Sequence, residues 1–569
     1  MISGYKVPSV FKRISSSVDL KMDVKFKFLF ICVILKFSIA QKCSIVHDKL
    51  DASQSVLCQN VGSMNDIADE IKDTAEWLNV KIINKAPVVE FTNNAINVPY
   101  LHLIQSLDLS RVGKLNFNDN GFASYDSLRE LDISNTGIKA FKNSWFTKKN
   151  IEVLDISRNK MTELRRDNLK YLPKLKFFNA SNNDLVFVEA HTFMDSKKIE
   201  VVALTNNHIQ SVHFENLDHL KTLNLKGNAL NNIGGNYVRM PKLEFLNLAE
   251  NVIHGVADRW LETLESLKYV NLSNNKMPHI GDWTFGGGEK TKLVELDLSY
   301  NAIGPLYQNS FAHLPLLTYL DISHNKITEI HQKNFVKQTL LQSLYLDSNK
   351  IDKIQPNAFE NNLQLRNLDL SVNKIKTFTT ALFGTKFGGN RLRKLNLAQN
   401  ELADIDANLF AILKNLVTLN LSSNKLKELS PDSLKSNTKL QELYLDDNEI
   451  DFLVPTFFKN FNALEDFSIQ NNRISFIPDT AGLKKLQRIS IGQNPLQCIC
   501  MKELLIWART NKCKFVNEKE NVKNPDCVVV PETTCVKEKA KIDNYGMYDR
   551  FLDGMPVDVG DRSSFAFEM

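Results

Sequence analysis

The sequence of 569 residues contains no apolar run of about 20 residues, the length that a membrane-spanning helix needs, so it predicts no transmembrane segment. Its 70 lysines and arginines nearly balance its 65 aspartates and glutamates, which gives no indication of a nucleic-acid partner. No HExxH motif and no glycine-rich phosphate loop opening a helix occurs. The sequence therefore argues against an enzyme and predicts neither a cofactor nor a metal site.

What the chain has instead is an asparagine that recurs every 21 to 27 residues. Each asparagine occupies position 9 of the frame LxxLxLxxNxL, as in the segment from Leu317 to Ile327. Fifteen phased copies of this frame are the sequence signature of a leucine-rich-repeat solenoid. The asparagines are Asn159, Asn183, Asn207, Asn228, Asn251, Asn275, Asn301, Asn325, Asn349, Asn373, Asn400, Asn424, Asn448, Asn472 and Asn494.

The frame predicts an α/β fold, a solenoid shaped as a horseshoe with a parallel concave β-sheet. The apolar residues at positions 1, 4, 6 and 11 are buried only when neighbouring repeats stack. Positions 4 and 6 alternate with polar residues, as in a strand with one face inward, so positions 3, 5 and 7 line the concave face. We expect the asparagine at position 9 to turn inward and bond the backbone of its own and neighbouring turns.

A second apolar marker follows the first leucine of a repeat by 18 residues, and it is most often phenylalanine. Its 24-residue period predicts a packed spine under the convex side rather than a cofactor pocket. The spine residues are Phe146, Phe193, Phe285, Phe311, Phe335, Phe359, Phe383, Phe410 and Phe458.

The predicted domain organisation has five parts. A short apolar run, Phe28 to Leu35, follows several lysines and is followed by small residues before Gln41, which is typical of a signal peptide. Translation could alternatively begin at Met22, a more usual distance upstream of this run. About seventeen full repeats start at Ile104, and a partial one is expected around Phe91. The parts are a signal peptide (1–40), an N-terminal cap (41–85), the array (86–496), a C-terminal cap (497–540) and a flexible tail (541–569).

The cysteines lie on both sides of the array. In a secreted chain this arrangement predicts disulfide-bonded caps, although four of the C-terminal cysteines could alternatively hold zinc. The N-terminal pair is Cys43 and Cys58, and the C-terminal group is Cys498, Cys500, Cys513, Cys527 and Cys535.

The run from Asn494 to Trp507, with its NPxxCxC segment, resembles the C-terminal flanking domain of extracellular leucine-rich-repeat proteins. This group includes Toll-type receptor ectodomains, chaoptin-like adhesion proteins and the acid-labile subunit of growth-factor complexes, and the style of the cap is similar to that of arthropod members. The resemblance implies disulfides from the CxC pair to Cys527 and Cys535. Cys513 is then left over, for an alternative pairing or for a disulfide-linked oligomer.

Three N-glycosylation sequons begin at Asn179, Asn271 and Asn420, all at position 5. Glycans there would leave clear one window of the concave face, between the repeats headed by Leu293 and Leu392. Tyrosines flanked by aspartates suit a basic protein surface, although aspartate is also common at position 5 of this repeat without any role in binding. The window presents Asp297, Tyr319, Asp321, Ser323, Tyr345, Asp347, Asn367 and Asp369, and a second candidate cluster contains Tyr444, Asp446 and Asp447.

The sequence thus favours a secreted, non-enzymatic protein that binds an extracellular protein partner through its concave face. One alternative is innate-immune recognition of microbial glycans or lipids. Another is a matrix or adhesion component that self-associates.

Overall fold

The computed structural model describes residues 43–47, 54–59, 61, 63, 67, 79–82, 91–92, 101–113, 115–116, 119, 121–146, 150–214, 217–233, 240–286, 291–385, 390–406, 408–429, 433–516, 527–543 and 546–553. The predicted signal peptide therefore lies outside the described residues. The chain divides into two compact units: residues 1–253 with 263–272, and residues 254–262 with 273–569.

Each repeat forms one short parallel strand over positions 3 to 5 of the frame. In the strand Tyr319–Asp321 the central Leu320 is fully buried, whereas its two neighbours are partly exposed. Successive strands pair in register, so residues one repeat apart lie side by side. The predicted parallel β-solenoid, with one strand for each of the seventeen repeats from Ile104, is confirmed.

In the first unit, ten parallel or antiparallel pairings join eleven strands, beginning with the antiparallel pair β1–β2. The strands of the main sheet are β1 (Cys43–His47), β2 (Gln54–Cys58), β3 (Asn79–Ile82), β5 (Ser106–Asp108), β7 (Glu130–Asp132), β8 (Val153–Asp155), β10 (Phe177–Asn179), β12 (Val201–Ala203), β13 (Thr222–Asn224), β14 (Phe245–Asn247) and β15 (Tyr269–Asn271). Two-residue strands pair outside it: β4 (Phe91–Thr92) with β6 (Leu115–Asn116), and β9 (Glu163–Leu164) with β11 (Phe187–Val188).

The second unit continues the same frame with parallel strands. Its main strands are β16 (Glu295–Asp297), β17 (Tyr319–Asp321), β19 (Ser343–Tyr345), β21 (Asn367–Asp369), β22 (Lys394–Asn396), β23 (Thr418–Asn420), β24 (Glu442–Tyr444), β25 (Asp466–Ser468), β26 (Arg488–Ser490) and β27 (Lys514–Val516). One two-residue pair, β18 (Glu329–Ile330) with β20 (Lys353–Ile354), lies outside this sheet.

The first strand of the array lies earlier than the sequence predicts. The strand that pairs with β5 is β3, whose Val80 is buried. Phe91, expected in the strand of a partial repeat, belongs instead to β4 and pairs outside the main sheet. The frame around β3 lacks leucine at the diagnostic positions, which is why the pattern did not reveal it.

The asparagine at position 9 bonds the backbone of two turns at once. The Asn325 Nδ2 donates to the carbonyl oxygens of Leu298, Ile322 and Ser323 at 2.9 to 3.1 Å, and its Oδ1 accepts from the Ile303 N–H at 3.0 Å. The same pattern recurs at Asn349. These bonds satisfy backbone groups that the end of each short strand leaves without partners.

The side opposite the strands is closed by phenylalanine and by short helical turns. In the second unit, the rings of Phe285, Phe311, Phe335 and Phe359 follow one another with centroids 6.0 to 6.4 Å apart. The α-helices are α1 (Arg166–Leu169), α2 (Leu409–Ile412), α3 (Cys498–Thr510), α4 (Lys539–Asp543) and α5 (Met547–Asp553). The 3-10 helices are Leu101–Leu103, Asn143–Trp145, Trp260–Thr263, Thr380–Leu382, Phe457–Asn460 and Thr480–Gly482.

Disulfides close both caps. Cys43 is bonded to Cys58, Cys498 to Cys527, and Cys500 to Cys535. In an oxidised C-terminal cap the four cysteine sulfurs are used in disulfides, which leaves no thiolates for the alternative zinc site.

The C-terminal cap extends into the segment expected to be a flexible tail. Helices α4 and α5 lie beyond residue 538, and their Ile542, Met547 and Phe551 are buried in one cluster with Phe476 and Cys500. The packed part therefore reaches at least Asp553. Residues 554–569 lie outside the described residues.

Candidate functional site

The two tyrosines of the window lie on neighbouring strands of the second unit. Tyr319 of β17 and Tyr345 of β19 place their ring centroids 5.4 Å apart at an angle of 46°. Burial, together with the nearby carboxylates Asp321 and Asp297, raises the pKa of Tyr319 above its usual value. Burial also raises the pKa of Tyr345, to about 12. Both phenols stay protonated at neutral pH, so they are uncharged hydrogen-bonding groups.

The aspartates at position 5 use one carboxylate oxygen to hold their own strand end. Oδ1 of Asp321 accepts from the backbone N–H of Ser323 at 3.0 Å and from its hydroxyl at 2.7 Å. Asp297 and Asp369 make the same pair of bonds to the serine two residues on. This local role accounts for the recurrent Asp-x-Ser pattern, and it uses only one oxygen, Oδ1, of each carboxylate.

The second carboxylate oxygen, Oδ2, is in contact with neighbouring polar groups. Oδ2 of Asp321 accepts from the Tyr319 hydroxyl at 3.3 Å. Oδ2 of Asp369 accepts from the Asn396 amide at 3.0 Å. Burial raises the pKa of Asp321, against the opposing effect of the bonds from Ser323. The window is thus a connected polar surface rather than a row of isolated charges.

Asp347 occupies position 7, and its environment differs from that of the other aspartates. Burial, with Asp369 and Asp321 nearby, raises its pKa to about 7. His324 Nε2 lies 3.8 Å from Asp347 Oδ2, and the imidazole stacks on the ring of Tyr300 with centroids 3.9 Å apart. Burial lowers the pKa of His324, so this contact is not a full ion pair at neutral pH.

Glu295 belongs to the same surface, although it is not among the residues that the sequence predicts for the window. It lies on β16 beside Tyr319, and only 8 % of it is exposed. Its Oε2 accepts no hydrogen bond from the part of the chain that the structure describes. Burial raises the pKa of Glu295 to about 7. The sequence could have indicated Glu295, because it occupies position 3 of its repeat, the same position that Tyr319 occupies in the next repeat.

The second candidate cluster is mostly structural. Asp446 is 8 % exposed and accepts from the Gln470 N–H at 2.7 Å and from the Ser468 hydroxyl. The Tyr444 hydroxyl donates to Asp466 at 3.0 Å, and Arg488 forms an ion pair with the same carboxylate. Oδ1 of Asp446 thus holds the next repeat, and a role of Asp446 in partner contact stays a prediction.

The three sequon asparagines lie on strands of the main sheets, at position 5. Oδ1 of Asn179 accepts from the Ser181 N–H at 3.0 Å, and its amide donates to Asp155 at 2.9 Å. Oδ1 of Asn420 accepts similarly from Ser422. Asn271 lies at the end of β15. Glycosylation of these residues stays a prediction.

A leucine-rich-repeat family model matches this chain in overlapping segments that together cover more than half of it. The matched segments are residues 126–185, 181–230, 197–253, 279–327, 291–351, 339–385, 390–450 and 438–496. The chain belongs to the leucine-rich-repeat family.

Individual relatives of this leucine-rich-repeat protein align over part of its length. It is 28 % identical to the transforming growth factor beta activator LRRC33 of Danio rerio over 174 residues, which cover 29 % of the chain and 25 % of that relative. It is 25 % identical to human Toll-like receptor 3 over 194 residues, covering 33 % and 20 %. The aligned part thus spans a quarter or less of the length of these relatives.

The fold of the leucine-rich-repeat protein also matches solved structures. A chain of the glycosylated Drosophila Toll–Spatzle complex superposes with a TM-score of 0.59 and 16 % identity, over 84 % of this chain and 70 % of that one. At this identity the match shows a shared solenoid fold.

Cys513 of the leucine-rich-repeat protein is the free cysteine among the described residues. It is 7 % exposed, directly before β27. Burial, together with Asp466, raises the pKa of its thiol to about 11. A buried, protonated thiol is a poor partner for a bond to a second chain, so the geometry does not favour a disulfide-linked oligomer.

None of the helices in the described residues is long and apolar enough to span a membrane. Groups of three or more histidine, cysteine, aspartate or glutamate side chains able to hold a metal ion are absent from the same part of the chain.

Proposed function

We propose that this leucine-rich-repeat protein is an extracellular, non-enzymatic binding protein whose window around Tyr319 and Tyr345 contacts a basic surface of a protein partner. The observation that carries the proposal is the tyrosine pair on adjacent strands. Both rings are partly exposed, and tyrosine is enriched among the residues that dominate protein interfaces. Because both residues lie on strands, their positions are fixed before binding and little ordering entropy is lost.

The carboxylates around the pair define the expected charge of the partner. Asp297, Asp321 and Asp369 lie at position 5 of three repeats, and Asp347 lies at position 7 of the repeat between the last two. Cations of a partner would stabilise the charged forms of these carboxylates, and Asp347 has a pKa of about 7. Binding should therefore strengthen as the pH rises from about 6 to 8.

The chemistry of the window supports a protein rather than a lipid. It presents phenol, carboxylate and amide groups, and an acyl chain would need an apolar opening instead. Self-association through a disulfide is the weaker alternative, since Cys513 is buried. The relatives include proteins named as receptors and as a growth-factor activator, and extracellular protein recognition is proposed here by analogy with those names.

The test compares affinity capture from native extracellular fluid by the wild-type chain, the window variant Tyr319→Ala/Tyr345→Ala, and a control variant. Captured molecules are eluted first without reductant and then with it. The control, Tyr171→Ala/Tyr307→Ala, also removes two tyrosines, both exposed and outside the strands. We expect at least one protein to be captured by the wild type and the control but lost by the window variant. Its dissociation constant, measured with the purified proteins, should rise at least about tenfold.

Equal capture of every protein by all three chains would eliminate the window as the contact surface. A protein released only by reductant, and lost in Cys513→Ser, would favour covalent assembly. Capture of polysaccharide or lipid without a protein would move the proposal to the microbial-ligand alternative.

A further inference from the structure

Position 2 of the frame carries a row of long charged side chains along one edge of the strands. In the first unit this row alternates in sign, and each lysine is paired with the glutamate of the preceding repeat. Lys176 lies 2.6 Å from Glu152, and Lys221 lies 2.7 Å from Glu200. The same pairing joins Lys268 to Glu244 at 3.2 Å. The positive charges of this row are therefore neutralised within the molecule.

In the second unit the same row holds two arginines whose neighbours in the row, Gln342 and Val417, are uncharged, and its acid, Glu465, lies three repeats beyond Arg393. Arg366 and Arg393 occupy position 2 of successive repeats, and the Arg393 N–H donates to the Arg366 carbonyl at 2.9 Å. Arg391 and Lys439 lie two positions earlier in the frame, directly before the first leucines of the repeats headed by Leu392 and Leu440. Within the described residues, the guanidinium groups of the three arginines form no ion pair, and all three side chains are exposed.

These four cations line one groove with a volume of about 650 Å³. Its remaining lining residues include the polar Asn415, Thr438 and Gln441, and none of the nine lining residues, all of them described, is acidic or aromatic. We call this the basic groove. It is a concave surface with converging hydrogen-bond donors and a local excess of positive charge, although the whole chain carries a net charge of only +5.

We propose that the basic groove binds a sulfated polysaccharide. Arginine presents a planar fork of donors that matches the oxygens of an anion two at a time, and it is more weakly hydrated than lysine. The hydroxyl of Thr438 and the amide of Gln441 suit the hydroxyls of sugar rings, whereas the Asn415 amide donates to the Asn390 carbonyl at 3.0 Å and accepts from Lys439 Nζ at 2.7 Å. An unpaired cluster of arginines costs electrostatic repulsion that an anionic ligand removes.

The spacing of the groove suits an extended chain with regularly placed anions. Neighbouring parallel strands lie about 4.8 Å apart, so the backbones at Arg366 and Arg393 differ by one such step. Arg391 and Lys439 are two repeats apart, about 10 Å by the same spacing. Successive cations can therefore meet successive sulfate groups of one polymer. The absence of aromatic side chains among the lining residues removes the stacking platforms that single-stranded nucleic acid uses.

The experiment measures the binding of heparin to the full chain by calorimetry at several salt concentrations. The test variant is Arg366→Gln/Arg391→Gln/Arg393→Gln. The matched control, Lys176→Gln/Lys221→Gln/Lys268→Gln, also removes three positive charges. These lysines lie along the same edge of the strands in the first unit, where each forms an ion pair with a glutamate. Circular dichroism and thermal unfolding check that both variants fold, and Arg391→Gln/Lys439→Gln is the substitute if the triple variant does not.

We expect the arginine variant to weaken heparin binding at least about tenfold and to reduce the slope of log affinity against log salt, because fewer counterions are released. The control should bind as the wild type does. Heparin stripped of sulfate should not bind measurably. Tyr319→Ala/Tyr345→Ala should bind heparin normally, which separates this inference from the proposed partner window.

Three results would overturn the proposal. An equal loss in the arginine variant and the lysine control would show that only net charge matters. Unchanged heparin binding in the arginine variant would place any heparin site elsewhere. Tighter binding of a single-stranded oligonucleotide of similar charge than of heparin, lost in the arginine variant, would replace the polysaccharide with a nucleic acid.

Discussion

At the scale of the residue, Asn325 shows why one side chain recurs along the array. Its amide nitrogen donates to three carbonyl oxygens, and its oxygen accepts from an N–H of the preceding repeat. Aspartate would lose the donor, and leucine would lose both functions. The asparagine is therefore fixed by the hydrogen-bonding needs of the buried backbone.

Replacing Asn325 by alanine should lower the free energy of unfolding by about 3 kcal/mol or more, because each buried polar group left without a partner costs about 1–3 kcal/mol. The measurement is urea unfolding followed by circular dichroism, together with the amount of protein secreted from expressing cells. Lys326→Ala, at the exposed neighbouring position, is the control and should change stability by less than about 0.5 kcal/mol. Wild-type stability and secretion of Asn325→Ala would contradict the structural role of the position-9 asparagine.

The residue before each asparagine has a backbone conformation that the sequence does not reveal. At position 8, φ is 54° for Tyr300, 52° for His324 and 54° for Val372, in the left-handed region that non-glycine residues seldom adopt. The N–H of His324 donates to the carbonyl of Asp347 in the next turn at 2.9 Å. The bond to the neighbouring repeat selects this conformation, so varied residue types occupy the position.

At the scale of the element, the in-register strands bring like charges together. Asp108 of β5, Asp132 of β7 and Asp155 of β8 are direct neighbours in the first unit. Burial, with Asp155 and Asp108 nearby, raises the pKa of Asp132 to about 7. In the sequence this row is marked by three consecutive repeats that contain Leu-Asp-Leu-Ser or Leu-Asp-Ile-Ser.

The replacement Asp132→Asn should increase stability at pH 8 but not at pH 4. Between its ordinary value of 3.8 and about 7, the carboxyl binds more protons in the folded chain than in the unfolded one. The stability of the wild type therefore falls as pH rises through this window and then levels off. The variant lacks this loss, and its Oδ1 can still accept from the Ser134 N–H.

Relative to the wild type, we expect the free energy of unfolding of Asp132→Asn to be higher at pH 8 than at pH 4 by at least about 1 kcal/mol. This value is smaller than the pKa shift alone would give, because the side chain is partly exposed. Thermal and urea unfolding at the two pH values measure it. Asp184→Asn, at an exposed site of the same unit, should show no comparable gain. An Asp132→Asn profile parallel to that of the wild type would contradict the assigned cause.

At the scale of the whole molecule, the cysteines determine whether the chain is covalently linked to others. Six of the described cysteines form three intrachain disulfides, and the seventh, Cys513, is buried. With the pKa of its thiol near 11, very little reactive thiolate is present at neutral pH.

We expect the difference in iodoacetamide labelling between the wild type and Cys513→Ser to be small in native protein at pH 7.5 and large after denaturation. Non-reducing electrophoresis should give the same monomer band for both chains. Rapid native labelling that requires Cys513, or a reducible dimer that disappears in Cys513→Ser, would restore the intermolecular disulfide.

The sequence by itself determined the repeat and its consequences. The frame specified the strand positions, the buried leucines, the asparagine bonds and the phenylalanine spine, because each depends only on stacking one repeat on the next. The resemblance of the terminal cysteine segments to known caps implied the bonding partners of Cys498 and Cys500, and the structure contains those disulfides.

The tertiary structure decided which charges are neutralised and which are not. Lys176 and Arg393 occupy the same frame position, yet one is paired with a glutamate and the other faces an open groove. The tertiary structure also decided the pKa of Asp132, which depends on carboxylates of the adjacent strands, and the burial of Phe551 in the C-terminal cap. Pattern alone cannot assign these properties, because they depend on the side chains of other repeats and of the cap that fold against each position.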